Sequence, residues 1–338
     1  MINISSLSIG YKKGAKKTEI RSNINLTGKQ GELIALIGSN GIGKSTLLRT
    51  IARLQDELSG TISIKGKNIH LYQRQEFART LSFVSTEVIP THQLTVFDLV
   101  ALGRLPHTKW LGRLSARDVT LVNDALQKTG MTAFSRKRID EISDGERQRV
   151  MIARTLAQNT PVILLDEPTA FLDMANKYEI VNLLNRLTKQ FGKTIVFSTH
   201  DLNIAIKKAD NIWLMLHHEI TPAAPEDHVI ANRFSQLFHN SPITFDYQTG
   251  DFVFTFHKKK KIKLIDRSDT DINRLWTKRA LECIGFDTEN CEKCQQCVTI
   301  EKQNVHLQWR FSDRDITRTF HSIYQLNSFL AQNMQSPH

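Results

Sequence analysis

Residues 33–45 read Leu-Ile-Ala-Leu-Ile-Gly-Ser-Asn-Gly-Ile-Gly-Lys-Ser. The opening five residues are an unbroken apolar run, the pattern of a central strand buried on both faces. Gly38, Ser39, Asn40, Gly41, Ile42, Gly43, Lys44 and Ser45 then fit G-x-x-x-x-G-K-S, the spacing of a phosphate-binding loop. Glycines let backbone N–H groups turn inward around a phosphate chain. Leu47, Leu48, Ile51 and Leu54 recur at helical spacing, so a helix starting near Lys44 aims its positive dipole end at the same place. Lys44 is placed to reach the β- and γ-phosphates of a nucleotide, and Ser45 to ligate Mg²⁺. A chance match in a glycine-containing turn would lack the strand before and the helix after.

A second apolar run, Val162-Ile-Leu-Leu, ends in Asp166 and Glu167. Ligands gather at the carboxyl ends of such strands in α/β sheets. There Asp166 would hold Mg²⁺ through water and Glu167 would polarise an attacking water as general base. Further strands are read at Ile195 to His200 and Ile212 to Leu216. Alternation marks residues 2–9 and Thr61 to Lys65 as half-buried strands, and a short strand is read over Arg79 to Val84. From Val96 to Gly130 apolar positions recur at three and four residues, which predicts a helical subdomain over about 88–160. The expected fold is an α/β core with a mostly parallel sheet, an antiparallel β subdomain and this helical insertion.

The bulk properties bound the rest. The chain has 338 residues, 40% hydrophobic and 23% charged, with a formal net charge of +11. No apolar run reaches the roughly 18 residues of a membrane span. The start lacks a basic and apolar leader, so the expected location is the cytosol. The excess charge admits nucleic acid or an anionic membrane surface as a partner; its one dense run, Lys258 to Lys261, is read as a solvated segment. Cys283, Cys291, Cys294 and Cys297 fall in the pattern C-x7-C-x2-C-x2-C. Such thiols suit zinc or an iron–sulfur cluster, yet zinc sites draw pairs from two separated turns, and free thiols are the expected state.

Between the two apolar runs stands Ile142-Ser-Asp-Gly-Glu-Arg-Gln148. It resembles the signature of ATP-binding cassette (ABC) ATPases, in which one subunit closes the ATP site of another. The resemblance covers about residues 1–255. It is strongest with the ATPases of iron-siderophore, haem and cobalamin importers, on Leu99-Val-Ala-Leu-Gly-Arg104, Trp110-Leu-Gly-Arg-Leu-Ser115, Asp144 to Arg149, Pro168-Thr-Ala-Phe-Leu-Asp173 and Ser198-Thr-His-Asp-Leu202. It implies an ATP hydrolase with Mg²⁺, acting as a homodimer on two polytopic permease subunits. An extracytoplasmic substrate-binding protein would deliver cargo, and the chain would sit peripherally on the cytoplasmic face of the membrane.

The same resemblance distributes roles. Tyr11 stacks on adenine, and the loop from Gly38 through Ser45 and Thr46 cradles the phosphates. Ser143, Asp144, Gly145 and Glu146 meet the ATP held by the partner copy. Asp173 links the two sites across the dimer, and it is also suited to cap the helix that begins at Met174. His200 contacts the γ-phosphate and orients Glu167.

Two departures stand out. Thr86 falls where the family carries a Mg²⁺-ligating Gln, with Glu87 as a possible substitute. Asp144 replaces a Gly, and its carboxylate is expected to point away from the phosphates toward Arg147 or Arg149. Residues 256–338 carry no cassette pattern. A helix over Ile272 to Ile284, strands at Val298–Glu301 and Val305–Phe311, and a helix over Ser322 to Gln332 would make a small α/β appendage. The rival function is a soluble ABC ATPase acting in translation, DNA repair or cluster assembly. The single cassette and the lack of long coiled-coil insertions disfavour it, and nucleic acid with it.

Overall fold

Leu33 to Ile37, the apolar run before the glycine-rich loop, are all buried in the computed structural model and form a central strand. The structure describes residues 1–338 except 15, 86–92, 109–111, 239–242, 247–249, 255–259, 269, 289–293, 304–305, 315 and 336–338. The chain divides into two compact units. One takes Met1–His239 and Phe245–Asp251, the other Asn240–Thr244 and Phe252–His338.

The first unit begins with β1 (Ile2–Lys13), β2 (Lys16–Gly28), β3 (Leu33–Ile37) and α1 (Lys44–Ile51). It continues through β4 (Ser59–Ile64), β5 (Lys67–Asn68), α2 (Arg74–Ala78), β6 (Leu81–Val84), α3 (Val96–Ala101), α4 (Ala116–Thr129) and α5 (Asp144–Gln158). After these come β7 (Val162–Leu165), α6 (Met174–Phe191), β8 (Thr194–Thr199), α7 (Leu202–Lys208), β9 (Asn211–Met215), β10 (Ile220–Ala223) and α8 (Pro225–Ile230).

Two sheets form. The larger has the order β10-β9-β3-β8-β7-β6. All its pairs are parallel except β10 with β9. Parallel neighbours need crossovers, which the helices supply. The smaller sheet is antiparallel, in the order β2-β1-β4-β5. Its β1 buries Ile2 and Ile4 and then Leu7 and Ile9, a switch from even to odd positions. A register shift between Ile4 and Leu7 and a left-handed Ser6 (φ 46°) absorb the extra residue. These side chains join Ile34, Leu36, Leu47 and Trp213 in one core.

A separate core built from Val96, Leu99, Val100, Val122, Leu126 and Val150 holds α3, α4 and α5 together. Pro106 does not break the chain there but sits inside a tight 3-10 turn, Leu102–His107. Trp110, one of the residues carrying the family resemblance, lies outside the described residues.

The division between the units falls in a hairpin of β11 (Ile243–Asp246) and β12 (Asp251–Phe254). The second unit then has β13 (Lys260–Lys261), β14 (Lys263–Arg267), α9 (Asp271–Cys283), β15 (Phe286–Asp287), β16 (Gln296–Gln303), β17 (His306–Asp313), β18 (Ile316–Phe320) and α10 (Ile323–Gln335). Its sheet order is β14-β16-β17-β18. Val298, Ile300, Trp309 and Phe311 from the sheet pack with Leu281, Leu326 and Leu330. The indole N–H of Trp309 donates to Thr277 Oγ1 at 2.9 Å, so this core leaves no polar tip of the ring unpaired.

Candidate functional site

The glycine-rich loop leaves β3 and enters α1 with two constrained positions. Gly43 has φ 112°, and a side chain there would meet Ile20 Cγ2 at 2.9 Å. Gly38 faces the Met215 carbonyl so closely that a Cβ would lie 2.7 Å from it. Lys44 begins α1 and is only 5% exposed. Its Nζ donates to the carbonyls of Gly38 at 2.8 Å and Ser39 at 3.1 Å. Burial lowers its pKa, while the charges of Glu167 and Asp166 oppose that shift.

The two carboxylates stand where β7 ends. Ser45 Oγ donates to Asp166 Oδ1 at 3.0 Å, and Ser198 Oγ donates to the same oxygen at 2.8 Å. Ser198 in turn accepts the Glu167 backbone N–H at 2.8 Å. Glu167 itself is left-handed, φ 47°, a conformation rare for residues with a side chain. Its Oε1 lies 2.5 Å from His200 Nε2. Lys44 Nζ stands 3.5 Å from the other ring nitrogen, Nδ1. A lysine ammonium only donates, so Nδ1 accepts and Nε2 carries the proton given to Glu167. Lys44, Ser45, Asp166, Glu167 and His200 thus converge. Ser198 ties the Asp166 carboxylate to the Glu167 backbone, a link that spacing alone does not reveal. Its only local signal is a hydroxyl that directly follows the apolar stretch Ile195 to Phe197.

The other expected site residues are built differently. Tyr11 is 56% exposed, and its hydroxyl lies 3.3 Å from Thr46 Oγ1. The ring has one edge anchored at the loop and a face open to solvent. Ser143 caps α5 and forms a capping box. The Glu146 backbone N–H donates to Ser143 Oγ at 3.3 Å, and the Ser143 N–H and Oγ–H both donate to Glu146 Oε2 at 2.8 Å. Those bonds, led by the one from the Ser143 backbone, lower the Glu146 pKa.

The Asp144 carboxylate turns to Arg147 at 3.5 Å, whereas Arg149 pairs with Glu179. A Cβ on Gly145 would lie 2.9 Å from Asn176 Oδ1. Asp173 caps α6 by accepting the N–H of that same Asn176 at 2.8 Å. Asn176 therefore joins the starts of α5 and α6. Just before Asp173, Phe171 is 96% exposed at φ 62°, and Met174 after it is also exposed. Thr86 and Glu87 lie outside the described residues.

The Gly103-Arg104 pair has a structural basis. A Cβ on Gly103 would sit 2.2 Å from the Arg154 carbonyl, so only glycine lets this turn lie against α5. Arg104 is buried; its Nε donates to Asp118 Oδ1 at 2.8 Å and its Nη1 to the Ala157 carbonyl at 2.7 Å. Asp118 closes the capping box of Ser115. Hydrogen bonds from Ser115 first, and Arg104 after them, hold its pKa at about 2. Nearby, a cleft of about 550 Å³ is lined by Leu54, Phe77, Phe83, Ser85, Met151 and Arg154.

In the second unit Cys294 is disulfide-bonded, which corrects the expectation of free thiols there. Sequence spacing does not determine which sulfurs meet in space. Cys283 and Cys297 are free, and Cys291 lies outside the described residues. Among the described residues no three His, Cys, Asp or Glu side chains cluster as a metal site.

A buried loop lysine, a strand-end Asp-Glu pair, a histidine just after the neighbouring strand and a capped signature helix define a nucleotide-binding cassette of the ABC class. Comparison with known proteins agrees. The family described as ABC transporter matches residues 21–170, and that described as iron ABC transporter C-terminal domain matches residues 258–331. The achromobactin transport ATP-binding protein of Dickeya dadantii is 43% identical over 211 residues, 62% of this chain and 77% of that protein. The iron(3+)-hydroxamate import ATP-binding protein of Bacillus subtilis is 39% identical over 206 residues, 61% of this chain and 75% of that one. Among solved structures, a dimeric ATP-binding cassette in a post-hydrolysis state, bound to ADP and Pi, superposes with a TM-score of 0.57 at 30% identity. It covers 67% of this chain and 99% of its own. The chain belongs to the ATP-binding proteins of the ABC transporter family.

Proposed function

We propose that this chain is the ATP-hydrolysing subunit of an importer for an iron chelate. Two copies would work on two permease subunits at the cytoplasmic face of the membrane, with a substrate-binding protein delivering cargo from outside. The observation that carries the reading is the convergence of Lys44, Ser45, Asp166, Glu167 and His200 in a chain whose second unit matches an iron-transporter domain. That match and the two named relatives favour an iron chelate over haem or cobalamin, and a transporter over a soluble ATPase.

The geometry supports the following roles. Tyr11 offers a flat, accessible face for adenine. Lys44 would exchange its loop carbonyls for phosphate oxygens. Ser45 Oγ and Asp166 Oδ1, 3.0 Å apart, are hard oxygen donors that fit Mg²⁺. The ion, when bound, neutralises charge on the β- and γ-phosphate oxygens. Glu167 would take the proton of the attacking water. His200 would hold the Glu167 carboxylate in place through Nε2–H. Ser143, Gly145 and Glu146 of the second copy would close the site, with Asp173 linking the two sites. The exposed Phe171 and Met174 beside Asp173 support a face covered by that copy. The cleft beside Met151 and Arg154 supports docking of a permease segment, and Thr86 would pass its signal to the metal.

No helix among the described residues is long and apolar enough to cross a membrane, so membrane attachment in this reading runs through the permease. The test is uptake of a radiolabelled ferric chelate in cells expressing the chain with its permease and binding protein. Uptake should need the wild-type chain and vanish with Glu167→Gln. Uptake that persists with that variant overturns the reading.

A further inference from the structure

Among the described residues Arg21 is a cation without a counter-charge beside the glycine-rich loop. It lies on β2 opposite Ile9. Its Nη1 donates to the His217 carbonyl, while its Nε is buried with no hydrogen-bond partner. Among the described residues no carboxylate pairs with it, and burial alone lowers its pKa. Ile20, Arg21, Ser39, Asn40, Ile42 and His217 line a cavity of about 320 Å³. A cavity with one guanidinium, loop polar groups and no acid is suited to an anion.

The position of the cavity argues against the terminal phosphate of a bound nucleotide. β3 has β8 on one side and β9 on the other. Asp166, Glu167 and His200 follow β7 and β8. His217 follows β9, so Arg21 flanks the loop on the opposite side. That placement leaves room for an anion other than the terminal phosphate. Asp144 is a carboxylate in search of a better partner. Its side chain is 73% exposed, and among the described residues it pairs with Arg147 at 3.5 Å, an exposed contact of a type worth little.

We infer that when two copies close, Arg21 of one receives Asp144 of the other. This rests on the dimeric reading above, in which each glycine-rich loop faces the Ser143 segment of a second copy. It gives the unusual acid in that segment a role in holding the copies in register, with Arg21 as a positioning residue.

The test uses the full chain carrying Glu167→Gln, with ATP-dependent dimerisation followed by sedimentation and ATP affinity of the monomer measured alongside. Arg21→Ala and Asp144→Ala should each weaken the dimer about tenfold, the size expected of a close interfacial charge pair. Arg21→Glu or Asp144→Arg should weaken it further, and the two together should restore most of the loss. Additive losses in the double swap, or single variants that dimerise normally, overturn this pairing and leave the dimeric reading intact. A loss of monomer ATP affinity as large as the loss of dimerisation also overturns it, because Arg21 would then serve the nucleotide directly. Absence of any ATP-dependent dimer in the Glu167→Gln chain overturns both readings.

Discussion

The loop half of the site and the signature half are wired in opposite ways. Around Lys44 the polar groups bond across the fold: Ser45 to Asp166, Ser198 to Asp166 and to Glu167, His200 to Glu167. These partners are far apart in sequence, and they meet only because β3, β7 and β8 are parallel neighbours. The signature segment bonds within itself, Ser143 with Glu146 and Asp144 with Arg147. Its support is a separate core and the buried Arg104–Asp118 pair. One half is a polar cluster already assembled within the chain. The other is a rigid helix start presented outward, suited to a second copy.

The largest expected effect strikes the loop half alone. Glu167→Gln should cut ATP turnover about a thousandfold, the scale of a lost general base. ATP binding should survive, and phosphate release together with nucleotide titration checks both. Next comes the scaffold of the other half. Asp118→Ala leaves the buried Arg104 charge unpaired and should cost about 3 kcal/mol of stability. A urea melt measures the loss; unchanged monomer ATP affinity would show that the halves are independent, and a parallel fall in affinity would break the comparison.

Acid should reveal the same pair. The Asp118 pKa is lowered from 3.8 to about 2, so its contribution is fully present above the ordinary carboxylate range and fades as pH falls from about 4 toward 2. Thermal melts of Asp118→Asn should depend less on pH across that window than those of the unmodified chain. A smaller loss, about 1 kcal/mol, should follow Ser143→Ala, which removes a helix cap. Its effect on ATP-dependent dimerisation should exceed its effect on the melt, because the hydroxyl is read as serving the second copy. Arg147→Ala should shift the melt by less than about 0.5 kcal/mol, since its pair with Asp144 is exposed.

Local grammar carried much of this. Leu33 to Ser45 is legible because the strand, the tight loop and the helix start are contiguous, and each has its own residue preference. Asp173 as a helix cap is legible for the same reason. The strands at Lys263–Arg267 and Ile316–Phe320 were missed: the first follows the lysine run read as solvated and has no alternating pattern of its own, and the second exposes most of its side chains on both faces. Their pairing with β16 and β17 makes them strands, and pairing is non-local.

By itself the sequence determined that this chain binds a nucleotide, because the glycines, Lys44 and Ser45 must be adjacent to do so. It also determined which acids and which histidine stand at strand ends. Only the tertiary structure decided that Ser198 joins Asp166 to Glu167, that Gly103 is required by the Arg154 carbonyl, that Cys294 is bonded, and that Arg21 stands beside the loop with no carboxylate partner among the described residues. Each of these depends on atoms brought together from distant parts of the chain, where residue spacing carries no information about distance.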